Sequence, residues 1–274
     1  MNTLDRMLHT KQPIIADQCV RALLAALSSD EPSYVIDGFR IVELIKFLQA
    51  EPSVNQDDLF RVEWAYVRLL DRHSDAAPLL LESRLANDPE FFSEVIRLVY
   101  RSKTKPTKEP SEKSKSIATN AWRLLHEWKT PPGMQNDGTY IEERFTEWLK
   151  NVNEICTESG HLEVAFVHIG EVLIHTPPDP DGLWIHRAVA AALNAREADD
   201  MRSGFRTGVY NSRGVHWVDP TGMPEKKLAQ HFRSKAEDIE NAGFYRFAVI
   251  LKELADGYER ESERIIAEHK LGEE

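Results

Sequence analysis

The sequence predicts an all-α protein, arranged as a series of antiparallel helical hairpins in two subdomains joined by a lysine-rich loop. Three observations lead there. Apolar residues recur at spacings of three and four through most of the chain, short joints rich in Pro, Gly, Ser and Asp separate the periodic runs, and no stretch sustains the alternation of a strand.

The elements follow in order. Ile14, Ile15, Val20, Leu23, Leu24 and Leu27 predict a first helix over 13–27, and Ile36, Phe39, Ile41, Val42, Leu44, Ile45 and Leu48 predict a second over 35–48. The polar joint between them predicts an αα-hairpin. Leu59, Phe60, Val62, Trp64, Ala65, Val67 and Leu69 mark a third helix over 56–70, with another ending near Asn87. Asp88-Pro89-Glu90 then supplies an N-cap, a proline at the first helical position and an acid in the first turn, a start signal for Phe91 through Val99.

Composition changes sharply over 102–116, SKTKPTKEPSEKSKS, where five lysines face two glutamates and no aromatic residue is present. Such a segment buries too little to offset its ordering entropy, and it reads as a linker. It divides the chain into an N-terminal subdomain over 1–101 and a C-terminal one over 117–274. Beyond it, Ala121, Trp122, Leu124, Leu125 and Trp128 predict one helix, Ile141 through Ile155 a longer one, and His161 to Ile174 a third. Pro177-Pro178-Asp179-Pro180-Asp181-Gly182 stops that run, after which helices are expected over 183–193 and 195–204. Leu228, Phe232, Ala236 and Ile239, then Phe244, Phe247, Ala248, Leu251, Leu254, Ala255 and Tyr258, make two stripes separated by Gly243. The charged sequence beyond Tyr258 is expected to fray.

An internal echo supports the hairpin reading. Ile155, Gly160 and Ala165 correspond to Ile239, Gly243 and Ala248: in each set a glycine ends one helix, and an alanine five residues later lets the next pack closely. This is the grammar of HEAT and tetratricopeptide arrays, although the match is too short to assign either.

At 274 residues the chain is long enough for one large domain or two, and 42% hydrophobic with 29% charged residues is a globular balance. Lys plus Arg is 34 against 45 for Asp plus Glu, and a net charge of −11 opposes a chain built to wrap nucleic acid or lie on an anionic membrane. Cys19 and Cys156 form no CxxC pair, which fits a reducing cytoplasm. The N-terminal residues lack the features of a signal peptide, and no apolar run approaches the roughly 20 residues of a membrane span. A cytoplasmic location is the expectation.

The most polar and aromatic stretch is 204–224, GFRTGVYNSRGVHWVDPTGMP, read as a loop anchored by Trp217. With the preceding Arg202 it gathers Arg206, Arg213, His216, Trp217 and Asp219, a set able to bind an anion or face a protein partner. Its glycines do not have phosphate-loop spacing and no Gly-Lys-Ser/Thr follows. His168, His175 and His186 lie near Asp179 and Asp181, but His168 and His175 are two helical turns apart, roughly 10 Å, too far to share a metal. HExxH and GxSxG are absent, and no spacing points to a catalytic residue, cofactor or metal.

Residues 88–102, DPEFFSEVIRLVYRS, and the stretch from Pro178 to Tyr258, with PDPDGLWIHRAV, SRGVHWVDPTG and the Gly243 hairpin, resemble the helical C-terminal regions of large bacterial multidomain proteins of antiphage or signalling type. The resemblance implies a helical module that receives or transmits a protein contact, and it carries over no catalytic residue. The ATPase motifs of such large proteins are absent, so it implies a fragment or separately encoded subunit. The expected function is a non-enzymatic scaffold or interaction module whose partner is a protein, with self-association into a homo-oligomer as a further expectation. The alternative is a small enzyme or ligand-binding protein that places Arg206, Arg213, His216 and Asp219 on an anionic ligand.

Overall fold

The computed structural model describes residues 15–27, 38–71, 76–103, 112–135, 137–214 and 218–272. Among these the chain is all-α: twelve α-helices and one 3₁₀ turn, with a single isolated bridge between Met134 and Tyr140 and no strand. It divides into two compact units, 1–129 and 130–274.

The first unit contains α1 (Ala16–Ala26), α2 (Gly38–Ala50), α3 (Gln56–Tyr66), the 3₁₀ turn Val67–Leu69, α4 (Leu79–Asn87), α5 (Pro89–Val99) and α6 (Glu112–Glu127). The stripes expected from the sequence form its core. Cys19 and Leu23 of α1, Leu44, Ile45 and Leu48 of α2, and Leu59 and Val62 of α3 are buried together. The Tyr66 hydroxyl donates to the Leu23 carbonyl at 2.8 Å. Residues 28–37, between α1 and α2, lie outside the described ones. The start of α5 follows the sequence: Asp88 accepts from the Phe91 amide at 2.9 Å and Pro89 occupies the first turn.

The boundary between units differs from the expected one. Residues 104–111 of the lysine-rich segment lie outside the described residues, while 112–116, expected as linker, open α6. That helix belongs to the first unit, because Leu124, Leu125 and Trp128 are buried there and the Trp128 ring lies 5.4 Å from Phe92 of α5. The division falls between Lys129 and Thr130 instead.

The second unit contains α7 (Glu142–Ser159), α8 (Leu162–Leu173), α9 (Arg187–Asn194), α10 (Asp199–Ser212), α11 (Met223–Asn241) and α12 (Tyr245–Gly272). Both glycine joints of the internal echo close as left-handed caps, Gly160 at φ 74° and Gly243 at φ 90°. In each, the next amide reaches back five residues, His161 to Cys156 at 2.8 Å and Phe244 to Ile239 at 3.0 Å, the bond that satisfies a terminal carbonyl. Ala165 and Ala248 are buried. The helix expected over 183–193 begins only at Arg187, since Asp179 and His186 cap it there.

Two expectations are corrected in this unit. Gly204, Arg206 and Gly208 are not in a loop but inside α10, which continues to Ser212 with Met201, Phe205 and Val209 facing the core. The sequence beyond Tyr258 does not fray at once. It extends α12, with Ser262 and Ile265 buried and the Ser262 hydroxyl donating to the Gly222 carbonyl at 2.8 Å.

Candidate functional site

α10 crosses α8 where neither helix carries a side chain. A Cβ on Gly204 would fall 2.7 Å from the Val167 carbonyl carbon, and one on Gly170 would fall 2.6 Å from the Phe205 amide nitrogen. The close crossing orients α10, and with it the arginines singled out in the sequence. Arg202 is buried and points to the end of α9, donating to the Leu193 and Ala195 carbonyls at 2.7 Å each and pairing with Asp199. The Leu193 carbonyl belongs to the last turn of α9 and the Ala195 carbonyl, which also accepts from the Ala198 amide at 3.3 Å, lies just beyond it, so Arg202 acts as a C-terminal cap supplied from the neighbouring helix.

Arg206 sits on a more exposed side and pairs with Glu253 of α12 at 3.3 Å. Arg213, just beyond α10, is held by Glu225 of α11, itself buried, and by Glu261 of α12 at 3.5 Å, with its guanidinium 5.6 Å from the Tyr258 ring. It therefore ties three helices through one planar cation already neutralised by carboxylates. Asp219 folds into its own turn, accepting from the Thr221 amide at 2.9 Å and the Thr221 hydroxyl at 2.7 Å. The hydroxyl and amide hydrogen bonds hold its carboxyl below the usual range. His216 and Trp217 lie outside the described residues. Each of the four described candidates thus bonds to other residues of the chain, and none bonds to another of these four.

The three histidines also separate. His168 contacts Glu171 on its own helix at 3.0 Å, and His175 lies on the exposed end of the turn after α8. His186 is buried, accepts weakly from the Ala188 amide at 3.3 Å, and rests 4.6 Å from the Tyr140 ring. Asp179 accepts from the Arg187 amide at 2.8 Å and the Asp181 amide at 3.0 Å. Burial works to raise its carboxyl, but those two amides together with the charges of His186 and Arg187 outweigh it and hold the group below the ordinary value. This cluster caps α9. Among the described residues no group of three or more His, Cys, Asp or Glu side chains is placed to hold a metal ion.

A different surface emerges on the first unit, one missed in reading the sequence. Phe60 and Trp64 of α3 stack at 6.5 Å with their planes 9° apart, and Phe91 of α5 meets the edge of Phe60 at 5.6 Å. The Arg84 guanidinium of α4 lies 4.7 Å from the Phe60 ring and 5.4 Å from Phe91, with Asp88 at 3.8 Å. All four side chains are half-buried. Arginine over aromatic rings is both a cohesive packing arrangement and the side-chain chemistry that dominates protein interfaces. A signal was available: Phe60 and Trp64 are four apart, and each lies one position after a buried residue of α3, Leu59 and Glu63. No helix among the described residues is long and apolar enough to cross a membrane. No protein-family model, curated protein or solved structure matches this chain.

Proposed function

We propose that this chain is a non-enzymatic helical scaffold, its hairpins stacked in series, that docks a protein partner through the first unit. The observation that carries the reading is the half-buried cluster of Phe60, Trp64, Arg84 and Phe91, in which a guanidinium is already ordered between aromatic rings and loses little freedom on contact. The ligand-binding alternative is weakened by the engagement of Arg213 with Glu225 and Glu261, which leaves that cation little charge to offer an anion. A place in a bacterial antiphage assembly rests on the sequence resemblance alone, and naming the partner tests it.

The experiment uses the full chain as bait and identifies a co-purifying protein by mass spectrometry, then measures its affinity. Replacing Phe60, Trp64 and Arg84 together by Ala should raise Kd about 30-fold or more, the loss of one strong interface anchor, while Arg206→Ala should leave it unchanged. Far-ultraviolet circular dichroism establishes that both variants retain their helices. Unchanged affinity in a folded triple variant would sink the assignment of this surface.

A further inference from the structure

The dipeptide Asp-Gly occurs four times in the chain, at 37–38, 137–138, 181–182 and 256–257. Its side-chain carboxyl meets little obstruction in approaching the next amide nitrogen, because glycine has no Cβ to shield it. Asp37 lies outside the described residues, and the fold gives the other three different surroundings. Asp256 is inside α12, where the helical ladder engages the Gly257 amide, and its carboxylate pairs with Arg233 at 3.5 Å. The Tyr210 hydroxyl lies where a Cβ of Gly257 would go. Asp137 is in an exposed turn, but its Oδ1 accepts from the Thr139 hydroxyl at 2.7 Å and the Thr139 amide at 2.9 Å. Those two bonds hold its carboxyl below the ordinary value.

Asp181 differs from both. It and Gly182 are exposed in the connection between α8 and α9, and Gly182 takes φ 94° with nothing within 4 Å of the place a Cβ would occupy. Among the described residues the Asp181 carboxylate has neither a hydrogen bond nor an ion pair. The polar contacts of this turn belong to Asp179 instead. Its carboxylate accepts from the Asp181 amide at 3.0 Å and the Arg187 amide at 2.8 Å, and its carbonyl accepts from the Gly182 amide at 2.9 Å. That last bond does not distinguish the two turns, since the Gly138 amide likewise donates to the Gln135 carbonyl at 3.0 Å. The carboxylate does: at Asp137 it is tethered forward to Thr139, and at Asp181 it is free to rotate onto the following nitrogen.

We propose that Asp181 is a site of spontaneous modification, at which the chain isomerises to isoaspartate through a succinimide formed with Gly182. The Gly182 nitrogen attacks Cγ of the protonated Asp181 carboxyl, the new N–C bond forms as a Cγ–OH bond breaks, and the hydroxyl leaves with the amide proton as water. One water then reopens the five-membered ring. Attack at Cγ restores aspartate, whereas attack at the backbone carbonyl carbon leaves the chain running through the side chain. The isomer has the same mass and one more carbon in the backbone between residues 181 and 182. That extra carbon falls inside the turn closed by the Asp179 carbonyl and the Gly182 amide, the turn from which Asp179 caps α9. Nucleophile and electrophile are neighbours in the chain, so water is the one other reactant. The inference stands on the second unit alone, independent of the partner-docking surface.

The test incubates the intact folded chain at physiological temperature and mildly acidic pH in heavy-oxygen water, so that each passage through the succinimide leaves one heavy oxygen in the product. Peptide mass spectrometry with electron-transfer fragmentation then locates the label and separates isoaspartate from aspartate. Both should accumulate at Asp181 at least about fivefold faster than at Asp137, the factor that one hydrogen bond to a carboxylate is worth, and slower still at Asp256. In strong urea the three rates should converge, because the fold and not the dipeptide sets them apart. A rate at Asp181 equal to or below that at Asp137 or Asp256 in the folded chain overturns the proposal, as does a preference for Asp181 that survives in urea.

Discussion

Glu63 does for α4 what that helix's own sequence cannot. The N-cap position of α4 is Pro78, which has no side-chain acceptor, so its first amides need one from elsewhere. Glu63, fully buried on α3, accepts from the Leu80 amide at 3.2 Å and the Leu81 amide at 3.0 Å, and Gln49 of α2 donates to it at 2.7 Å. Gln49 also donates to the Ala77 carbonyl at 2.8 Å, so one carboxylate and one amide join three helices. Burial raises the Glu63 pKa against the hydrogen bonds of Gln49, Leu81 and Leu80, and the charge of buried Glu82 raises it further. A carboxyl with a raised folded pKa favours folding most below its unfolded pKa, and that contribution is lost as pH rises through the folded value. Glu63→Ala should cost about 2–4 kcal/mol by orphaning the amides. Glu63→Gln removes the titration, so the wild type should lose stability relative to it as pH rises above the ordinary glutamate range. Urea denaturation at several pH values checks both, and parallel pH profiles for wild type and Glu63→Gln would remove the titration argument. The role of Glu63 was partly legible, since it lies four residues after Leu59 and three before Tyr66, on the buried stripe. What the sequence could not supply was the identity of the helix it caps, a contact 17 residues away and dependent on how α4 returns.

Helix α10 shows how one set of residues supports two readings until packing decides. Gly204, Gly208, Gly214 and Gly222 close together suggest a loop, and Gly214 and Gly222 do take left-handed conformations. Gly204 and Gly208 are four apart, however, beside Met201, Phe205 and Val209 with the same spacing, and this is a helix face that alternates bulk with its absence. The two glycines weaken the helix in isolation and strengthen it in place, because they let the backbones of α8 and α10 meet. The Gly160 and Gly243 caps, by comparison, are local: each is set by residues within one turn, and the sequence revealed both. Gly204→Ala should therefore force α8 and α10 apart despite the better intrinsic helix propensity of alanine. A loss of about 3 kcal/mol is expected, about 10 °C in Tm. Asn241→Ala, on the exposed end of α11, serves as the control with little change. A melting temperature for Gly204→Ala equal to or above wild type would show that the crossing relaxes without cost.

The chain's division illustrates that loose composition and domain boundary are separate properties. Lysine-rich sequence marks where burial cannot repay ordering entropy, whereas a boundary is where packing stops crossing from one side to the other. Here packing continues past the lysine-rich segment: Ala121, Leu124, Leu125 and Trp128 of α6 and its end are buried in the first unit. The Lys129 amide donates to the buried Glu82 carboxylate at 3.2 Å, fixing the last residue of that unit to α4. Apolar periodicity alone showed that 117–128 forms a helix with a buried face, but periodicity does not say which neighbour covers that face. The fragment 1–101 would therefore leave Phe92 without the Trp128 ring and Glu82 without its amide donor. The fragment 1–129 retains both. Urea unfolding should be cooperative for 1–129, while 1–101 should unfold with a shallow dependence on urea and bind a dye that reports exposed apolar surface. The complementary fragment 130–274 should melt cooperatively by itself, since the crossing of α8 with α10 and the α11–α12 hairpin are both contained in it. If 1–101 unfolded as steeply and at the same midpoint as 1–129, α6 would contribute nothing to the first core, and the boundary would belong at the lysine-rich segment after all.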